Sequence, residues 1–254
     1  LRRTGGPPSR AEAAVRGLLP PGTMGHSAAM CGRFIQGQGP VHYMERFGLE
    51  SKDLPLPNAP ARYNAAPTQD LLVIRYNPET ARPEIGLLRW GLVPSFAKDM
   101  TGAAALINAR SETVAEKPSF RAAWRKPRRC VIPVDGFYEW QRTAAGRQPF
   151  LIALRSRAPL ALAGLWEGWK DPASGAWVRT FTILTCAANE LLAPLHDRMP
   201  VILDPADIPR WLTDPAPVDL MKPYPAAAME MWAVSTRVNA VRNEGEDLTH
   251  PVAV

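Results

Sequence analysis

Cys130-Val131-Ile132-Pro133-Val134 runs straight into Asp135-Gly136-Phe137-Tyr138-Glu139-Trp140. The first five residues are apolar, and an acidic residue and a glycine then punctuate them. A run this short, bounded by turn residues, predicts a buried strand over 130–134. The same signature recurs at 71–76, 84–90, 150–154, 160–166, 180–187 and 231–234, each apolar or alternating and bounded by Gly, Pro, Asn or Asp. Helical patterns are confined to 41–47, 119–124 and 205–212, the last with Asp204 as cap and Pro205 in the first turn. Strands that do not alternate with long helices exclude a doubly wound α/β sheet. The 27 prolines fall mostly at segment edges. The expectation is an α+β fold: a curved, partly closed, antiparallel β core with a few short helices.

With 254 residues and 46% hydrophobic content, one sizeable domain is expected over 31–254, where no linker or internal repeat divides the chain. Residues 1–29 are different. They are rich in Gly, Pro, Ala and Arg, show no apolar period, and would bury little. We read them as an over-extended start or an added remnant, with a disordered arm as the alternative. A transit peptide would need a clearer amphipathic face, and no apolar run is long enough for a signal peptide or a membrane span. A cytoplasmic protein is expected. The net charge of +6 points to an anionic partner, yet Arg2, Arg3, Arg10 and Arg16 against Glu12 put half of that excess in the leading segment. Cys31, Cys130 and Cys186 are an odd set without close spacing, which argues against a secreted disulfide framework. Together with His196 they could supply four metal ligands, but there is no C-x-x-C or H-x-x-x-H pair. Neither a metal nor a cofactor is expected. Cys130 and Cys186 sit in apolar runs and read as buried small residues in strands.

Four stretches embed polar residues in apolar frames: 62–67 (RYNAAP), 106–112 (LINARSE), 135–140 (DGFYEW) and 196–200 (HDRMP). Each alone has a structural reading. Asn108 could cap a helix or pin a turn. Glu139 could pair with an arginine, His196 could be a satisfied loop histidine, and Arg33, Arg110 and Arg198 could be surface charges. The string Met30-Cys31-Gly32-Arg33-Phe34 changes their weight. If Met30 is the true start, its removal leaves Cys31 with a free α-amine and a thiol on adjacent carbons. That pair can condense with an aldehyde and close a thiazolidine, which no internal residue can do.

Taken together, these stretches resemble the SRAP family, the SOS-response-associated peptidases or abasic-site processing proteins. The likeness covers essentially 30–254. It includes Trp90-Gly91-Leu92-Val93-Pro94, the NARSET run at 108–113, GFYEW at 136–140, HDRMP at 196–200 and the closing 234–245. The resemblance implies a single α+β domain, binding of single-stranded DNA at abasic sites, and a covalent link from an N-terminal cysteine to the ring-opened sugar. It implies four chemical positions, Cys31, Asn108, Glu139 and His196. In that reading the Cys31 amine attacks the aldehyde, and Glu139 shuttles protons with a pKa raised by the aromatic neighbourhood of Phe137, Tyr138 and Trp140. His196 assists ring opening, and Asn108 orients the amine or the sugar. The resemblance and charge logic also imply DNA contacts by Arg33, Arg110 and Arg198, with Pro67 and Trp90 beside the site and Phe96 as a stacking platform. With residues 1–30 attached, Cys31 has no free amine. Two other activities are kept in view: a thiol peptidase with Cys31 as nucleophile and His196 as base, and a non-covalent single-strand binder. No heptad or long exposed apolar helix points to an obligate partner, so a monomer is expected.

Overall fold

The computed structural model describes residues 31–144 and 146–253, and the expectations made for residues 1–30 lie outside that range. In chain order the first strands are β1 (Phe34–Gln36), β2 (Arg62–Ala65), β3 (Asp70–Asn77), β4 (Arg82–Trp90), β5 (Asn108–Arg110), β6 (Arg129–Val134) and β7 (Gly136–Thr143). They are followed by β8 (Gly146–Leu154), β9 (Leu160–Lys170), β10 (Trp177–Ala187), β11 (Arg198–Pro200), β12 (Ile202–Leu203) and β13 (Met229–Ala233). The α-helices are α1 (Pro40–Arg46), α2 (Pro118–Arg125) and α3 (Ile208–Thr213). Each starts with a proline in its first turn, where the missing N–H is not needed. The α+β expectation holds, and each strand and helix expected from the sequence has a counterpart, except that the helix expected over 205–212 opens as a 3-10 turn at Pro205–Asp207, with no cap bond from the Asp204 side chain. The unexpected strands are β1, β2, β5, β7, β11 and β12, all but β7 of four residues or fewer.

Five strands close on themselves. β10, β4, β3, β6 and β9 are hydrogen-bonded in that order, and β9 pairs back onto β10. All of these pairings are antiparallel except β10–β4. Every residue of β6 is buried, as its unbroken apolar run demands. The second sheet, ordered β13-β8-β7-β1-β2, is antiparallel throughout. Aromatic packing joins the two. Phe34 of β1 stands 4.7 Å from Trp90 of β4, and Trp90 stacks on Phe181 of β10 at 6.1 Å and 8°. One buried amide joins them as well. Gln36 Nε2 donates to the carbonyls of Leu72 and Pro133, and its Oε1 accepts from the Leu72 N–H.

The chain leaves β4 through Gly91 at φ +117°, where a Cβ would stand 2.7 Å from the Ala103 carbonyl oxygen. Only glycine serves there. Among the described residues, no helix is long and apolar enough to cross a membrane.

Candidate active site

β10 exchanges its neighbours along its length. At Thr180 and Phe181 it pairs with β9 on one edge and β4 on the other. At Thr185 those partners have been replaced by β5 and β11. The exchange gathers two polar stretches at one end of β10. Asn108 faces Ile183, Arg110 faces Thr185, and Arg198 faces Ala187. Asn108 is half-buried and Arg110 exposed, with Ala109 buried between them. Arg198 is committed within the protein: its guanidinium takes both carboxylate oxygens of Glu112, at 2.6 and 2.8 Å, and the Thr185 carbonyl at 2.5 Å.

His196 stands just before β11. Its Nδ1 accepts the Arg198 N–H at 3.0 Å and lies 2.9 Å from Asp197 Oδ1. Both contacts fall on Nδ1, so they fix the orientation of the ring.

The second sheet carries the other two candidate residues. Cys31 lies just ahead of β1, wholly buried, with a left-handed φ of +47°. Its backbone nitrogen donates to Glu139 Oε1 at 2.5 Å. Glu139 is 4% exposed, and burial pushes its carboxyl up to about 7 against the opposing pull of the Cys31 and Trp140 N–H groups. The Cys31 thiol is raised well above its ordinary value, first by burial and then by the Glu139 charge. The rise at Glu139 matches expectation, but the aromatic neighbourhood does not have the expected form. Strand alternation puts Phe137 on the Glu139 side and turns Tyr138 and Trp140 to the other face. There Tyr138 joins Ile35, Leu151, Val234 and Val238 in a separate cluster, with Trp140 packed against it.

Trp90 links the two halves. Its ring meets Phe34, and its Nε1 donates to the carbonyl of Ile107, the residue before Asn108. It is fully buried and presents no surface of its own to a ligand. Pro67 is half-buried at the end of β2, next to Thr68, whose N–H donates to the Trp90 carbonyl. Phe96 is 65% exposed in the loop between β4 and β5 and is free to stack. Arg33 does not point outward as a phosphate ligand would. Its Nη1 donates to Asn64 Oδ1 and to the Val238 carbonyl, both at 2.9 Å. Of the three arginines expected at phosphates, only Arg110 is exposed. Among the described residues, no group of three or more His, Cys, Asp or Glu side chains is placed to hold a metal ion.

Two supporting residues escaped the sequence reading. Asn64, fully buried, donates to the carbonyls of Val238, Ala240 and Asn243 and so ties the C-terminal segment to β2. Glu112 clamps Arg198. Both lie within the polar stretches quoted from the sequence, and a buried asparagine between apolar neighbours was the available signal for the first.

The chain matches the SOS response associated peptidase (SRAP) family over residues 30–241. It is 42% identical over 228 residues to the abasic site processing protein YoqW of Bacillus subtilis, covering 86% of this chain and 98% of that one. It is 41% identical over 220 residues to the abasic site processing protein YobE of the same organism, covering 83% and 97%. Among solved structures, a Bacteroides thetaiotaomicron protein superposes with a TM-score of 0.76 at 23% identity, covering 88% of this chain and all of that one; this likeness concerns the fold.

Proposed function

The chain belongs to the SOS response associated peptidase family, and on that premise we propose that it processes abasic sites in single-stranded DNA by crosslinking to them through Cys31. Relatives at about two-fifths identity carry the name abasic site processing protein, which directs the reading to that substrate. The observation that carries it is the 2.5 Å contact between the Cys31 nitrogen and the buried Glu139 carboxylate. The reading requires Cys31 to be the first residue of the acting form, so that this nitrogen is an α-amine. Such an amine titrates near pH 8. Burial raises the Glu139 carboxyl where this nitrogen is an amide, and that desolvation brings it toward the range in which it can exchange a proton with such an amine.

The amine nitrogen then adds to C1′ of the open-chain sugar, forming a carbinolamine. Glu139 returns the proton to the departing hydroxyl, water leaves, and an imine remains. The Cys31 sulfur adds to the imine carbon, its proton passes to nitrogen, and a thiazolidine closes with no change of oxidation state. Asn108 orients the sugar, and His196 protonates the ring oxygen as the hemiacetal opens. Arg110 is the guanidinium best exposed for a phosphate.

A thiol-first peptidase needs a thiolate at neutral pH. Burial and the Glu139 charge push the Cys31 thiol the other way, which favours the amine as first nucleophile. A purely non-covalent binder gives no reason to place a buried carboxylate on that nitrogen.

The test is intact-mass spectrometry of protein beginning at Cys31, incubated with an abasic oligonucleotide. The expected product survives denaturation and weighs the sum of protein and DNA less one water. It should be lost in Cys31→Ala and in protein that keeps Met30. Peptide release without any DNA adduct would instead establish the peptidase, and an adduct formed with Met30 still attached would overturn the amine mechanism.

A further inference from the structure

The end of the β9–β10 hairpin farthest from this site carries an aromatic and basic cluster that the chemistry above does not use. Trp177, the first residue of β10, is 69% exposed. One side of its indole is backed by Gly168, whose Cβ, if present, would stand 3.7 Å from Cε3 and Cζ3. Register places Lys170 opposite Trp177 and Gly168 opposite Arg179. Lys170, Trp177 and Arg179 therefore share one face of the sheet, and both cations are exposed. Further along the same face, the guanidinium carbons of Arg75 and Arg128 each stand 5.3 Å from the centre of the Trp166 ring.

Arg128 is answered by Glu167. Glu84, opposite Arg75 in register, is held by Asn77 and Thr80. Burial, and after it repulsion from Arg179, lower the Arg75 pKa, against the opposing pull of Glu84. Lys170 and Arg179 flank the solvent-exposed Trp177 as like charges, and neither forms a salt bridge among the described residues. They suit a ligand that alternates flat rings with anions, as a nucleic-acid strand does.

We propose that Trp177, Lys170 and Arg179, with Arg75 behind them, form a second contact for single-stranded DNA, holding the strand that flanks the abasic sugar. From Arg179 to Thr185 the path along β10 is about 20 Å at ~3.3 Å per residue. The identity of the strand rests on the function proposed above, but its binding can be measured without any covalent step.

The test uses undamaged oligothymidylate of about 12 nucleotides, within the usual range of single-strand site sizes. Trp177→Ala is expected to raise Kd about tenfold at fixed salt, the loss of one stacked base. The double variant Lys170→Ala/Arg179→Ala is expected to lower the slope of log affinity against log salt by about 1.4, roughly 0.7 for each lost phosphate contact. The crosslinking rate at saturating abasic DNA should not change, because none of the three side chains touches Cys31 or Glu139. Unchanged affinity and salt slope would overturn the proposal whether or not an adduct forms. So would an affinity loss accompanied by a lowered melting temperature, which would assign these exposed side chains to folding. Absence of an adduct with normal, variant-sensitive oligothymidylate binding would overturn the covalent reading alone.

Discussion

Glu139 holds a position that favours chemistry at the expense of stability. Its carboxyl is raised from 4.5 to about 7, chiefly by burial. The folded state therefore prefers the protonated form. The resulting advantage is complete below the ordinary carboxyl range and is lost as pH rises through 7. Above that point the ionised side chain destabilises the fold by about 3 kcal/mol, at ~1.4 kcal/mol per unit. Gln keeps the shape and can still accept the Cys31 N–H but cannot ionise. In the full chain, Glu139→Gln should melt at a higher temperature than the parent at pH 8 and at nearly the same temperature at pH 4. In protein beginning at Cys31, the same variant should form adduct much more slowly while its DNA affinity changes little. Equal losses of rate and affinity would assign Glu139 to structure, and no gain at pH 8 would show that the carboxylate is not desolvated.

Elements were legible where their apolar content was continuous and illegible where partners in space supplied the order. β6, β9 and β10 announce themselves because their stretches enclosed on both faces, 130–134, 160–165 and 181–186, carry no charge. β5 and β11 have three residues each, begin on a polar residue, and exist because β10 offers them an edge after β4 and β9 leave it. No local pattern encodes that hand-over. β7 was hidden for a related reason: its alternation mixes Glu139 with aromatics, and the charge obscured the period of two. β2 owes its place to Asn64, which accepts from Arg33 and donates to three carbonyls of the 238–243 segment. Replacing it with a side chain of similar size but no polar atoms removes all four hydrogen bonds: the Asn243 carbonyl loses its donor, while the Val238 carbonyl keeps Arg33 and the Ala240 carbonyl keeps the Asn243 N–H. Asn64→Leu is therefore expected to destabilise the protein by about 3 kcal/mol, read by urea denaturation. Trypsin should then cleave faster at Arg237 and Arg242. Unaltered cleavage there would mean that the segment is held by the Trp140–Asn239 and Tyr63–Glu244 contacts instead.

At the scale of the molecule, the proposed chemistry depends on two separately hydrogen-bonded sheets keeping one alignment. The barrel carries Asn108, Arg110 and the His196 turn, and the other sheet carries Cys31 and Glu139. The four residues proposed for the chemistry were named from motif likeness, but that likeness could not show that they are divided between two sheets. Nor could it show that Arg33 and Arg198 are spent on internal partners, since strand spacing reports the face of a side chain and not what it meets there. Two devices hold the alignment, the Phe34–Trp90–Phe181 stack and Gln36. Trp90 is tied to the Ile107 carbonyl, but its contact with Phe34 is apolar and can slide. The amide cannot, because its three hydrogen bonds reach β3 at Leu72 and the end of β6 at Pro133 from a wholly buried position. Gln36→Leu preserves volume while stranding the Leu72 N–H and two carbonyls, a loss of about 3 kcal/mol. For a domain of this size that corresponds to a fall in Tm of roughly 10 °C. Because Gln36 ends the strand that begins just after Cys31, crosslinking below the melting temperature should slow as well, while affinity for undamaged single strands, which rests on the barrel, should stay near the parent value. A lowered Tm with an unchanged crosslinking rate would show that aromatic packing alone sets the distance from the amine to the rest of the site.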